Sequence, residues 1–382
     1  MLPVSLYIHI PWCIRKCPYC DFNSHKSPGQ LPEQHYIDAL LADFKQDLSH
    51  FPHRFIHSIF IGGGTPSLLS ADAYHSLLTE LQKHVTFAPE LEVTMEANPG
   101  TVEQQRFNDY RQAGINRLSL GIQSFNADKL KTLGRIHDDK QAHKAIETAR
   151  RAGFDNLNID IMHSLPGQSA AEGLADLTTA LTHQPEHLSW YQLTIEPNTI
   201  FYKQQPQLPD EDTNEALELE GFERLAAYGF QRYEISAFSK PGRQSRHNLN
   251  YWLFGDYYGI GAGAHGKLTV SAPHQIYRTR KQRQPTDYLN PDKQIMAASE
   301  LLSADSLPFE FMLNTTRLQQ PIPLSLFTER TGLDSELLQP RLEKAASLGL
   351  ITLNDKHWQV TEFGRRYTNN LQEMFLPEQV IT

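Results

Sequence analysis

Between residues 5 and 196, six short β-rich runs alternate with longer amphipathic stretches, and this alternation leaves the chain few folds to choose from. The strand candidates cover residues 6–10, 58–61, 92–96, 117–121, 156–161 and 188–195. Several are nearly continuous apolar runs, the pattern of parallel strands covered on both faces. Helix patterns at 32–48, 70–84, 102–113, 140–152 and 170–181 separate them. Repeats in this order predict a parallel sheet with right-handed crossovers. Six strands are too few for a closed eight-stranded barrel. The spacing therefore predicts an α/β fold, a partial (β/α)6 barrel over residues 1–211.

The places where these strands end are rich in special residues. The first runs into Pro11-Trp12-Cys13 and the second into Gly62-Gly63-Gly64-Thr65-Pro66. The third ends at Glu96-Ala97-Asn98-Pro99-Gly100, the fourth at Gln123-Ser124, and the fifth at Asp160, before Leu165-Pro166-Gly167. In β/α folds the active site forms on the loops at the C-terminal ends of the strands. Cysteines, glycines and polar residues from separate repeats thus gather on one rim.

All three cysteines fall in one segment, Cys13-Ile14-Arg15-Lys16-Cys17-Pro18-Tyr19-Cys20. Three thiolates on one loop can hold an inorganic centre with one coordination position left open. Zinc completed by His9 or His25 is an alternative, although zinc sites usually draw on a second, distant cysteine pair. A disulfide with one free thiol would need an oxidising compartment.

A C-x3-C-x2-C run with an aromatic residue before the last cysteine resembles the radical S-adenosylmethionine (SAM) superfamily. The resemblance implies a [4Fe–4S] cluster on Cys13, Cys17 and Cys20, with SAM chelating the fourth iron, and with Tyr19 beside the cluster. Tyr7-Ile8-His9, the glycine run, Glu96-Ala97-Asn98-Pro99-Gly100, Gly121-Ile122-Gln123 and Leu133-Gly134-Arg135 are similar to the oxygen-independent coproporphyrinogen III dehydrogenase group. By position, that likeness carries SAM contacts to Tyr7, Gly63, Gly64, Thr65, Glu96, Gln123, Arg135 and Asp160. Dehydrogenases of this group have a fourth cysteine two places after the third, where this chain has Phe22. With Cys20-Asp21-Phe22 and the later His247-Asn248-x-x-Tyr251-Trp252, the chain looks instead like the HemW family of haem chaperones. This implies haem as cofactor and cargo, apo-haemoproteins as acceptors, and His247, Tyr251 and Trp252 as haem contacts. Porphyrinogen decarboxylation by a radical SAM mechanism is the alternative.

Residues 212–295 form a second region, with a helix pattern at 213–228, a strand pattern at 232–238 and the aromatic run after His247. After Pro291 the composition turns helical. Residues 296–382 read as helices followed by a hairpin around Asn354-Asp355, a winged-helix-like module. From Phe309 onward, two Lys and five Arg face two Asp and seven Glu, a net of −2, which argues against nucleic acid as partner. The whole chain, at −9, argues the same way. The first ten residues lack a basic segment followed by a long apolar one, and cysteine is scarce elsewhere. A cytoplasmic location is expected; peripheral membrane contact and a homodimer are compatible with the sequence.

Overall fold

The structure is a computed structural model that describes residues 4–52, 55–101 and 104–377. Six parallel strands follow one another across the sheet: β1 (Val4–Ile10), β2 (Phe55–Gly63), β3 (Thr86–Ala97), β4 (Arg117–Gln123), β5 (Leu157–His163) and β6 (His187–Gln192). Between them run α1 (Glu33–His50), α2 (Ala71–Gln82), α3 (Gln104–Gln112), α4 (Ala127–Thr132), α5 (Asp139–Arg151) and α6 (Ala170–Thr182). The expected β/α repeats are present; Val102 and Glu103 of the 102–113 helix pattern lie outside the described residues. Helix starts follow local chemistry. Asp138 with Gln141 and Ser169 with Glu172 form capping boxes at α5 and α6, satisfying amides that the first turn leaves without partners.

The strands are buried on both faces, as expected, but one of the two buried faces is polar. Leu6, Ile8, Ile59, Ile61, Leu118, Leu120, Ile159 and Ile161 pack in the main core. Their alternate neighbours Ser5, His9, Ser58, Thr94, Arg117, Ser119 and Asn158 are also buried, so burial alone hides the two-residue period. These polar side chains bond to one another inside the curved sheet. Ser5 Oγ meets Ser58 Oγ at 2.7 Å, and Asn158 Nδ2 donates to Ser119 Oγ at 2.7 Å and Asp160 Oδ1 at 2.8 Å.

The sheet is also wider than the sequence suggests, with 12 strands among the described residues and two free edges. After α7 (Ile200–Gln204) and α8 (Glu211–Ala227), the 232–238 strand pattern splits into β7 (Gln231–Arg232) and β8 (Ala237–Ser239). Glu234 causes the break, because its Oε1 accepts from Ser236 N–H at 2.9 Å and closes a turn. Beyond α9 (Arg246–Trp252), β9 (Asp256–Ile260) pairs in parallel with β1. Then β10 (His265–Ser271), β11 (His274–Lys281) and β12 (Met296–Leu301) extend it antiparallel. Met296–Leu301 was expected to be helical from its composition. Pairing with β11 overrides that propensity.

Three helices, Leu307–Thr315, Ser325–Thr331 and Gln339–Ser347, precede the hairpin Ile351–Leu353 and His357–Val360, as the winged-helix pattern predicts. Their core joins Phe311, Phe327, Leu342 and Trp358 to Phe254, in the turn after α9, and to Ile276 of β11. Among the described residues, no helix is long and apolar enough to cross a membrane.

Candidate functional site

The cysteine segment follows β1 directly and is tied to the glycine turn after β2. Gly64 N–H donates to Ile10 O and Thr65 N–H to Trp12 O, both at 2.7 Å. A Cβ on Gly64 would lie 2.5 Å from the Trp12 carbonyl oxygen, and one on Gly63 would lie 2.5 Å from the His9 ring. Glycine is required here so that two backbones can touch. Thr65 Oγ1 then reaches Cys13 Sγ at 3.6 Å, and burial raises the pKa of the Cys13 thiol.

Across the rim, Arg135 donates to Gly121 O at 2.6 Å, to Cys17 Sγ at 3.7 Å and to Tyr19 Oη at 3.5 Å. It also bonds Asn98 Oδ1. Asn98 Nδ2 donates in turn to Thr65 Oγ1 at 3.3 Å. The partners of Cys13 and Cys17 are therefore joined through Asn98. Asn98 stands in the Glu96–Gly100 motif, yet the sequence alone assigns it no role.

The three cysteines open on a cavity of about 480 Å³. Tyr19, Gly63, Gly64, Thr65, Glu96, Gln123, Arg135 and Asp160 all line it, so eight of the nine expected SAM-site residues converge. Tyr7 does not line it. Its hydroxyl meets His9 Nδ1 at 2.9 Å, and its ring packs on Phe60 and His247. Ser119, Ser189 and Tyr191 line the cavity without having been expected. All three lie on strands at the two-residue spacing that also brings in Asp160, which is the signal that could have found them. Gln123 enters from a left-handed backbone (φ 71°), and its Oε1 accepts from Tyr191 Oη at 2.9 Å.

Two acids dominate the cavity's electrostatics. Burial first, then the proximity of Asp160, pushes Glu96 up to about 8, although its Oε2 accepts from Gly63 N–H at 3.1 Å. Burial raises Asp160 as well, against hydrogen bonds from Ser189, Ser119 and Asn158. A carboxylate that keeps its proton in the fold but loses it when unfolded contributes stability at low pH. That contribution is lost as pH rises from about 4.5 through about 8. Glu96→Gln is therefore expected to stabilise the ligand-free chain increasingly across that window, by a few kcal/mol at its upper end. Melting temperatures of both proteins at about pH 5 and pH 9 test this; parallel pH profiles would refute it.

The chemistry of the donors fits a cluster better than a zinc ion. His9 Nε2 meets Asn23 O at 2.8 Å and its Nδ1 meets Tyr7 Oη, so both ring nitrogens are occupied. His25 Nε2 is turned toward Asn23 Oδ1 and Arg283 O. Among the described residues, no three His, Cys, Asp or Glu side chains are grouped to hold a single ion. A cluster binds each thiolate to a different iron and has no need of that grouping.

Of the residues expected to contact haem, Tyr251 and Trp252 pack on each other, with ring centroids 4.8 Å apart, while His247 packs elsewhere. The His247 ring lies against Tyr7 and Phe60, at centroid distances of 6.4 and 5.2 Å, with Nδ1 shut from solvent and without a partner. Burial pushes its pKa down to about 3. Tyr251 packs on Tyr257, and Trp252 lies under Arg317 of the C-terminal module at 4.2 Å.

The sequence model of the Radical SAM superfamily matches residues 7–178, and that of the HemN C-terminal domain matches residues 302–367. The heme chaperone HemW of Escherichia coli is 48% identical over 376 residues, spanning 98% of this chain and 99% of that protein. The chain belongs to the HemW family. HemW of Haemophilus influenzae is 47% identical over 99% of both chains. The solved coproporphyrinogen III oxidase HemN of Escherichia coli, a radical SAM enzyme, superposes with a TM-score of 0.82 at 23% identity. That match covers 98% of this chain and 90% of HemN, and it establishes the fold. The chain thus has an α/β radical SAM fold with a HemN-type C-terminal domain.

Proposed function

We propose that this chain is a haem chaperone, which holds haem and passes it to apo-haemoproteins, and that its cavity houses a [4Fe–4S] cluster and SAM. The observation that carries the reading is the meeting of three free thiols and the buried acids in one cavity of a HemW-family chain. Cys13, Cys17 and Cys20 would hold three irons. When reduced, such a cluster supplies the electron for SAM cleavage in this superfamily.

The chain's own residues supply binding and orientation. Arg135, a guanidinium whose contacts to Cys17 Sγ and Tyr19 Oη at 3.7 and 3.5 Å are long enough to give way, suits the SAM carboxylate. Glu96 would accept from the SAM amino group, which would favour its ionised form. Asp160, already oriented by Ser119 and Asn158, suits the ribose hydroxyls. Phe22 cannot ligate iron, so the fourth thiolate of the dehydrogenase pattern is absent from its place. The likeness to HemN supports the common fold and carries no argument for porphyrinogen chemistry.

The test is anaerobic reconstitution of the full chain, followed by titration with haem and with SAM, separately and together. Iron and sulfide in cluster ratio, a haem absorption band, and haem loss to an apo-haemoprotein are expected. An intact cluster with no haem uptake would reject the chaperone reading. Release of CO2 from coproporphyrinogen III would restore the dehydrogenase.

A further inference from the structure

We infer that haem docks on the outer rim of the cluster cavity, over Phe22, with its two carboxylates on Arg15 and Lys131. The inference rests on the haem-chaperone reading and gives it a place on the molecule. Ile14, Phe22, Ile136, Ile200 and Tyr202 are large apolar side chains exposed by 45–57%. Phe22 lines the cavity and Ile136 the groove beside it, while Ile14 stands on the cysteine loop and Ile200 and Tyr202 on α7.

The cysteine loop is in contact with both α7 and Arg135. Phe201 N–H donates to Pro18 O at 2.9 Å, the Phe201 and Tyr19 rings lie 6.4 Å apart, and Arg135 reaches Cys17 and Tyr19. Scattered exposed apolar residues are ordinary, but a group gathered at one cavity mouth marks a binding surface.

The charge around this surface selects the ligand. A groove of about 540 Å³, lined in part by Arg15, Lys131 and Ile136, adjoins the cavity, and Arg15 and Arg135 line both. Among the described residues, neither Arg15 nor Lys131 has an acidic partner within ion-pair distance. Asp138 also lines the groove, but its carboxylate caps α5 through Gln141 N–H. An apolar rim edged by two available cations complements a flat hydrophobic macrocycle bearing two carboxylates.

His137, which lines the groove, pairs Nε2 with Ile122 O, and its Nδ1 is shut from solvent. Haem on the rim therefore gains no ring nitrogen from His137, which favours release to an acceptor with a better axial ligand. A ligand seated there also covers the SAM cavity, so each ligand must change the affinity of the other by the same factor.

The experiment titrates haem into the reconstituted full chain and into Phe22→Asp, Ile136→Asp, the double variant Arg15→Glu/Lys131→Glu, His247→Ala and Leu348→Asp. Leu348 is exposed on the C-terminal module and serves as the control. Iron, sulfide and SAM binding are measured first, and variants that keep them are compared. Each rim variant is expected to lose about tenfold or more in haem affinity, while Leu348→Asp and His247→Ala stay within about twofold of the parent. Loss of haem by His247→Ala with undiminished binding by the rim variants would move the site to α9. That result overturns the inference and leaves the chaperone reading standing. A parent chain that takes up no haem overturns both.

Discussion

Gly64→Ala is expected to destabilise the chain by about 3 kcal/mol and to lower the iron and sulfide recovered on reconstitution in parallel. The added Cβ would stand 2.5 Å from Trp12 O, 2.8 Å from Trp12 C and 2.9 Å from Ile10 O. All three are backbone atoms, so no side chain can swing aside. Overpacking of this kind costs about 1–3 kcal/mol. Separating the two backbones would also weaken the bonds from Gly64 and Thr65 to the β1 end, at about 1 kcal/mol each. The site suffers with the fold, since the same displacement draws Thr65 away from Cys13. Gly153→Ala is the control: its Cβ would meet nothing within 4 Å, and only its positive φ of 84° is strained, at about 1–2 kcal/mol. Urea unfolding of both variants, with iron and sulfide analysis, makes the comparison. Equal stabilities would show that the close approach is dispensable.

The β/α repeats and the rim are legible in the sequence because both follow from periodicity. Strand ends fall at regular intervals, and one edge of the parallel sheet collects whatever stands there. The polar face of the sheet is harder to read. Ser5, Thr94 and Ser119 are small and buried, and they interrupt apolar runs too lightly to announce a polar interior.

Tyr7 has the right face but too low a level, two residues below His9 on β1, so it supports the site through the His9 ring rather than entering the cavity. The HNxxYW run lies on a helix, which at 3.6 residues per turn sets His247 and Trp252 about 140° apart. The two side chains therefore leave the helix on different faces, and Arg317 of the C-terminal module packs on Trp252. The strand at Met296–Leu301 is illegible for a different reason: its Ala, Met, Glu and Leu favour helix, and only the exposed edge of β11 makes it extended.

Lys281→Met is expected to have the largest effect on stability, and its pH dependence identifies the cause. On α1, Asp43 and Asp47 sit four residues apart among Ile37, Leu40, Phe44 and Leu48, on the face turned to the core. Lys281 of β11 lies 2.5 Å from Asp43 Oδ1 and 2.6 Å from Asp47 Oδ1, and all three side chains are fully buried. Asp43 Oδ2 also accepts from Tyr288 Oη at 2.8 Å and Gly261 N–H at 3.1 Å. The triad clamps the sheet extension onto the helix that covers β1.

Burial pulls the Lys281 pKa down, but the two carboxylates outweigh it and leave that pKa raised. One ammonium does not offset the burial of two acids, and burial pushes Asp47 up to about 6. Removing the cation leaves both carboxylates uncompensated, at about 3–5 kcal/mol. Both would then hold their protons to higher pH. The deficit of Lys281→Met should therefore be small near pH 5, where protonation relieves it, and should grow as pH rises through 6 toward about 8. Adding Asp43→Asn and Asp47→Asn should recover most of the loss at pH 8. A deficit independent of pH, or one the asparagines leave untouched, would mean that the variant fails through packing of the Lys281 stem rather than through stranded charge.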